Sequence, residues 1–238
     1  MTAQHPEDSD NLPPVHAILF GATGMVGQGV LGELLLDPDV QRVLVVVRRP
    51  TGVSHPKLRE IVHSDFYDFS SIESQLSGYD ACFFCLGVTS LGKTEAEYRR
   101  LTYDLTLAAA TTLARLNPKM AFLYVSGTGT DSSEHGRTMW ARVKGATENA
   151  LLRLFPNACM IRPGYIQPMH GVQSPSKGTR RAYAIIGVAY PVLRTLFPKS
   201  VTNTEELGRA MIRAARGEAP KKILEPADLI ALGSVLNS

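Results

Sequence analysis

Apolar and polar positions along the chain follow two alternating patterns. Short β-prone runs occur at Val15–Phe20, Val43–Val47, Glu60–His63, Ala81–Cys85, Ala121–Val125 and Ala158–Ile161. Several are continuously apolar, which suits parallel strands covered on both faces. Between them, helical periodicity predicts helices over Met25–Leu36, Ser70–Leu76, Thr94–Leu116 and Met139–Leu154. Each parallel return needs a crossover, and right-handed crossovers put helices on both faces. The pattern therefore predicts an α/β fold built on a doubly wound parallel sheet.

Past Gly164 the regularity fades. Gln167–Thr179 is rich in Pro, Gly, Ser and Lys and reads as a mobile loop; an apolar segment follows, then helical patterns at Thr204–Arg216 and Pro226–Leu232. Residues 165–238 are too few for a core of their own, so they are expected to cap the sheet and shape a substrate cleft. The 238 residues suit a single domain over 15–238, preceded by a disordered, polar and acidic leader, 1–14, that ends in Pro13 and Pro14.

Composition narrows the function classes. The net charge of +3 is small and dispersed, which argues against a nucleic-acid partner. The longest apolar stretch, Tyr183–Phe197, is broken by Pro191 and Arg194 and falls short of the ~18–20 residues of a membrane span. The leader has no secretory pattern, and three cysteines argue for a reducing compartment, so a cytoplasmic protein is expected. Cys82 and Cys85 lie within one strand and point to opposite faces, as core thiols. The histidines show no ligand spacing, and no metal is expected.

The candidate chemistry begins where the first strand ends, in Gly21-Ala-Thr-Gly-Met-Val-Gly27 directly before a helix. Gly21 permits the tight turn, Gly24 lets backbone approach a pyrophosphate, and Gly27 allows close packing of helix on strand. Thr23, Met25 and Val26 complete the turn, whose free N–H groups and positive dipole end suit an anion. The second strand ends in Arg48-Arg49, where NAD-binding folds carry a carboxylate for the ribose 2′-hydroxyl. Guanidinium groups there suit a 2′-phosphate, and the expected cofactor is NADP(H). Asp65, followed by Phe66, reads either as a partner for the adenine amino group or as a turn residue. Leu86-Gly87 closes the fourth strand, where a glycine lets the dinucleotide cross the strand ends.

Together with Cys85-Leu-Gly-Val-Thr89, Tyr124-Val-Ser-Gly-Thr-Gly-Thr-Asp131, Trp140-Ala-Arg-Val-Lys-Gly145 and Arg162-Pro-Gly164, these residues resemble the atypical short-chain dehydrogenases, in the neighbourhood of the NmrA-like and Tat-interacting-protein-like oxidoreductases. The resemblance implies a Rossmann fold and a catalytic site at Ser126 and Lys144, with Lys144 also binding the nicotinamide ribose. It places the loop Pro163, Gly164, Tyr165 and Ile166 against the nicotinamide carboxamide. The superfamily's tyrosine, four residues before the lysine, is here Trp140, whose indole N–H donates a hydrogen bond but does not exchange a proton at physiological pH. Tyr165 reads as one substitute phenol; a relay through Ser126 or Thr128 is another. Lys144 reads otherwise as an ordinary helix lysine, and Arg180 and Arg181 as either anion ligands or solvated charges. The expected activity is oxidoreduction of a small carbonyl or alcohol; the alternative is a non-catalytic NADP(H)-binding sensor or scaffold that regulates a protein partner. A homodimer is in keeping with the resemblance.

Overall fold

The computed structural model describes residues 14–169 and 190–234. The strands of the main sheet are β1 (Val15–Phe20), β2 (Val40–Val47), β3 (Leu58–Val62), β4 (Ala81–Phe84), β5 (Ala121–Val125), β6 (Asn157–Ile161) and β9 (Ile223–Leu224). They are ordered β3-β2-β1-β4-β5-β6-β9, and every pairing is parallel. The strand order reverses between β1 and β4, so the carboxyl ends of these two strands flank a topological switch point.

The sheet's two faces read directly from the two-residue period. Ala17, Leu19, Val43, Val45, Phe83 and Leu123 face one core with Val30, Leu31 and Leu34 of α1 (Met25–Leu36). Ile18, Phe20, Leu44, Val46, Phe84 and Phe122 face the other, with Ala109 and Leu113 of α3 (Leu105–Leu116) and Leu151 of α4 (Met139–Leu154). Cys82 lies in the second core and Cys85 packs against the first; both thiols are free and burial pushes both pKa values up, so they act as apolar side chains.

Several boundaries differ from the pattern. The Ser70–Leu76 helix is a 3₁₀ segment, Ser70–Gln75. The single helix expected over Thr94–Leu116 is three pieces: α2 (Glu95–Arg99), opened by a Thr94–Glu97 capping box, a π-helical turn at Arg100–Asp104, and α3. The C-terminal part adds β7 (Tyr165–Gln167), which pairs with β8 (Val201–Asn203), then α5 (Tyr190–Leu196), α6 (Thr204–Ala215) and α7 (Pro226–Ser234). The expected leader falls outside the described residues except for Pro14, as does all but the start of the expected loop at Gln167–Thr179. α6 lays Leu207, Ala210 and Met211 on the α1 face of the main core. The C-terminal elements thus complete the cover on the α1 face of the sheet.

Candidate functional site

The glycine turn is shaped by close backbone approach. Gly21 has φ +84°, and a Cβ there would lie 2.7 Å from the Cys85 carbonyl carbon and 2.9 Å from Leu86 N. On Gly27 a Cβ would lie 2.0 Å from the Gly21 oxygen. The Gly24 N–H donates to that same oxygen at 2.9 Å, and Gly24 then opens α1 in an extended conformation with no side-chain cap. The first-turn N–H groups at Met25, Val26 and Gly27 have no capping side chain, which is the condition for anion binding at a helix start. Thr23 is exposed at the tip of the turn, and its carbonyl accepts from Gln28 Nε2 at 3.0 Å.

Beside this turn a cavity of about 400 Å³ opens among Arg48, Asp65, Phe66, Leu86, Gly87 and Leu101. It lies at the carboxyl ends of β2, β3 and β4. Arg48 and Arg49 are both exposed, and among the described residues neither pairs with a carboxylate; Arg48 lines the cavity. Asp65 accepts the Tyr67 N–H at 2.9 Å, as a turn aspartate does, and still faces the cavity. The Phe66 ring belongs to the core, edge-on to Phe20 and Phe69. Leu101 and Leu105, four residues apart across the π-helical turn, form an apolar wall that sequence reading missed; their helical spacing was the available signal.

At the other half of the same edge, a second cavity of about 350 Å³ includes Thr128, Gly164 and Tyr165. Gly164 packs tightly, since a Cβ would lie 2.3 Å from the Ser200 oxygen. The Tyr165 hydroxyl donates to Gln167 Oε1 at 2.8 Å, while Ile166 is turned into the core. Pro163 contributes its carbonyl, which accepts from Thr128 N at 3.0 Å. Arg180 and Arg181 lie outside the described residues.

Between the two cavities stand the residues matched to the catalytic positions. Ser126 is buried, and its hydroxyl donates to Glu148 Oε1 at 2.5 Å and lies 3.2 Å from the Ile161 carbonyl. Glu148 is wholly buried and is held by the Arg162 guanidinium, with Nε 3.0 Å from Oε1 and Nη2 bonded to Oε2. Arg162 continues to Glu225 at 3.1 Å and to the Ser132 hydroxyl at 2.6 Å. Sequence reading missed Glu148, a carboxylate four residues past Lys144 on the buried face of α4. The Trp140 indole rests on the turn after β5, 3.6 Å from where a Gly129 Cβ would be. Tyr98 and Tyr124 are core residues; burial raises both phenol pKa values, which removes them as acid–base groups near neutrality.

Lys144 is half-buried, and its ammonium donates to the Ser126 carbonyl. Burial lowers its pKa to about 8, opposed by the nearby Glu148 carboxylate. The charged form therefore prevails below about 8, and an approaching nucleotide anion favours it further. Nucleotide affinity should weaken by about fivefold as pH rises from 7 to 9.5, the ~1 kcal/mol of one partly exposed charge pair. Fluorescence titration across that range checks this; a Lys144→Met protein should show no such slope.

Comparison with known proteins agrees with this fold. Residues 21–154 match the NAD(P)H-binding family. The mitochondrial protein fmp52 of Emericella nidulans is 29% identical over 214 residues, covering 85% of this chain and 89% of its own. The mitochondrial protein FMP52 of Meyerozyma guilliermondii is 26% identical over 227 residues, covering 94% of each. Among solved structures, the Bordetella bronchiseptica enzyme WbmF in complex with NAD+ and UDP aligns with a TM-score of 0.65 at 16% identity, over 92% of this chain and 77% of that one. The relatives' mitochondrial names overturn the cytoplasmic expectation. Free thiols suit any reducing compartment and do not discriminate among them. Among the described residues no helix is long and apolar enough to cross a membrane, and no cluster of His, Cys, Asp and Glu could hold a metal. With its glycine turn, its uncapped helix start and more than half its length matched, this chain belongs to the NAD(P)H-binding family and carries a Rossmann-type fold.

Proposed function

We propose that the protein is an NADP(H)-dependent oxidoreductase of a small carbonyl or alcohol, acting in mitochondria as the names of its relatives suggest. The observation that carries the cofactor choice is Arg48, a guanidinium without a carboxylate partner among the described residues, on the wall of the cavity beside the glycine turn. Gly21, Gly24 and the start of α1 would hold the pyrophosphate, Arg48 and Arg49 the 2′-phosphate, Asp65 the adenine amino group, and Lys144 the nicotinamide ribose. Leu86 and Gly87 would underlie the dinucleotide where it crosses the strand ends, and a Cβ on Gly87 would meet nothing within 4 Å. Pro163, Gly164 and Tyr165 would border the nicotinamide.

Bound NADPH would supply a hydride to a carbonyl carbon, and with one proton delivered to the oxygen and replaced from solvent the products would be an alcohol and NADP+. The protein's part in that step differs from the superfamily pattern. Ser126 gives its hydroxyl hydrogen to Glu148, and Trp140 holds no exchangeable proton. Lys144, with its pKa near 8, is the group at this position that both carries and releases a proton near neutral pH. The Ser126–Glu148 bond and Trp140 also favour the second reading, a nucleotide-binding sensor without turnover.

Titration with NADPH and NADH tests the cofactor choice. Arg48→Ala should weaken NADPH binding by about tenfold or more and leave NADH unchanged, as expected for a lost charge-assisted bond of ~1.5–3 kcal/mol. Arg49→Ala should have the smaller effect. Equal affinity for the two nucleotides in the unaltered protein would refute the 2′-phosphate assignment. Tight NADPH binding without turnover on a broad carbonyl panel would establish the sensor instead.

A further inference from the structure

The second cavity defines what kind of substrate such an enzyme would take. We infer that the space bounded by Thr128, Gly164, Tyr165, Phe197, Val201 and Pro226 binds the uncharged, largely apolar body of a small ketone or aldehyde, or of the matching alcohol. This rests on the oxidoreductase reading above and specifies its substrate class.

Placement is the first argument. Thr128 follows β5, Gly164 and Tyr165 follow β6, Pro226 follows β9, and Val201 opens β8. Thr128, Gly164 and Pro226 follow the carboxyl ends of main-sheet strands, on the opposite side of the switch point from the cavity at Arg48, and the β7–β8 pairing brings Val201 beside Tyr165. A dinucleotide laid across those strand ends with its adenosine at Arg48 would bring its far end to this second space.

The chemistry of the walls is the second. Ser200 completes the lining, and among the described residues no lysine, arginine, aspartate or glutamate is part of it. Its polar groups are largely engaged with the protein itself. Thr128 Oγ1 lies 3.1 Å from the Pro163 carbonyl, the Tyr165 hydroxyl donates to Gln167, and the Ser200 backbone donates to Phe197 and accepts from Tyr165. A carboxylate or phosphate placed here would lose water and gain no counter-charge from the described residues, which is strongly unfavourable. A neutral, largely apolar body needs no counter-charge and loses little hydration on entering such walls.

The third argument is Phe197, 55% exposed at this cavity although it is a large aromatic. Covering its ring with an apolar ligand removes exposed apolar surface, the main source of affinity in small pockets. The volume of about 350 Å³ lies near the lower end of the range for ligand pockets, which limits the substrate to a small molecule.

Calorimetry on the free and NADP+-loaded protein tests this with a size-matched pair, 2-hexanone and 2-oxohexanoate, and with UDP as an anionic nucleotide. 2-Hexanone is expected to bind, and 2-oxohexanoate at least about tenfold more weakly because its carboxylate has no partner among the described residues. Phe197→Asp, with an unchanged melting temperature as the check on folding, should weaken 2-hexanone binding about fivefold or more through lost apolar contact. Separate NADPH titration keeps the two claims apart. Ketone binding without nucleotide binding supports this cavity and removes the redox reading. Nucleotide binding with no ketone binding, tighter binding of the oxo acid or UDP, or an indifferent Phe197→Asp overturns the substrate class.

Discussion

Gly27→Ala is expected to abolish nucleotide binding, with an affinity loss of about 100-fold or more, equivalent to ~3 kcal/mol. The added methyl group would sit 2.0 Å from the Gly21 oxygen and 2.6 Å from the Gly21 carbonyl carbon. Both atoms are backbone, so no side-chain rotation relieves the clash. Either α1 moves away from β1 or the turn at Gly21 opens, and both break the Gly24 to Gly21 hydrogen bond that sets the start of α1. The N–H groups that would hold the pyrophosphate then lose their alignment. Gly32→Ala is the matched control in the same helix: its Cβ would meet nothing within 4 Å. It should leave NADPH affinity unchanged and stabilise α1 by ~0.5–1 kcal/mol, the gain of alanine over glycine in a helix. Titration of both proteins with NADPH, alongside thermal melts, gives the comparison. A Gly27→Ala protein that binds as tightly as the original would show that the turn does not hold the nucleotide.

That glycine turn was legible in the sequence because its signal is local: three glycines between one apolar run and one helical pattern. The central strands were legible for the same reason, and the alternation that sends Val43 and Val45 to one core and Leu44 and Val46 to the other is visible in the residues alone. What sequence reading missed depends on contacts distant along the chain. β9 is only Ile223–Leu224 and exists because it pairs with Met160 and Ile161, far away in sequence. β7 and β8 are equally short and define each other. The π-helical turn at Arg100–Asp104 lies inside an unbroken helical pattern, so periodicity showed one helix. In the candidate site, Arg48, Asp65, Leu86 and Gly87 converge on one cavity because each follows the end of a neighbouring strand. Ser126 was placed at the correct strand end, but the direction of its hydroxyl depends on Glu148, which looked like one more helix carboxylate. Phe197 closes the Gln167–Phe197 segment expected to supply a substrate pocket, whereas Val201 became visible only when β7 and β8 brought it to Gly164.

Arg162→Met is expected to destabilise the fold by ~3–5 kcal/mol, the cost of stranding one member of a buried ion pair. Glu148 has no solvent exposure, and Arg162 supplies bonds to both of its carboxylate oxygens. Without the guanidinium, the charge would be left with the Ser126 hydroxyl and the field of Lys144. In urea denaturation the midpoint should fall, and the melting temperature should drop by roughly 10 °C, at ~2–4 °C per kcal/mol for a domain this size. Arg162→Met combined with Glu148→Met should recover much of the loss, because a well-packed apolar pair is often no less stable than the ion pair it replaces. The Ser126 hydroxyl would then keep the Ile161 carbonyl as its partner. A coupling energy above ~2 kcal/mol between the two sites is expected from this cycle, and additive effects would show that the two residues do not act as a pair. The network joins β5, β6 and α4 and reaches Glu225 beside β9, so it sets the spacing of the strand ends that carry Thr128, Gly164 and Pro226. The cavity at Arg48 stands on β2, β3 and β4, outside that network. The double variant should therefore retain NADPH affinity more completely than its capacity to bind a neutral ketone, and the size of that difference measures how far the buried ion pair serves the substrate half of the site.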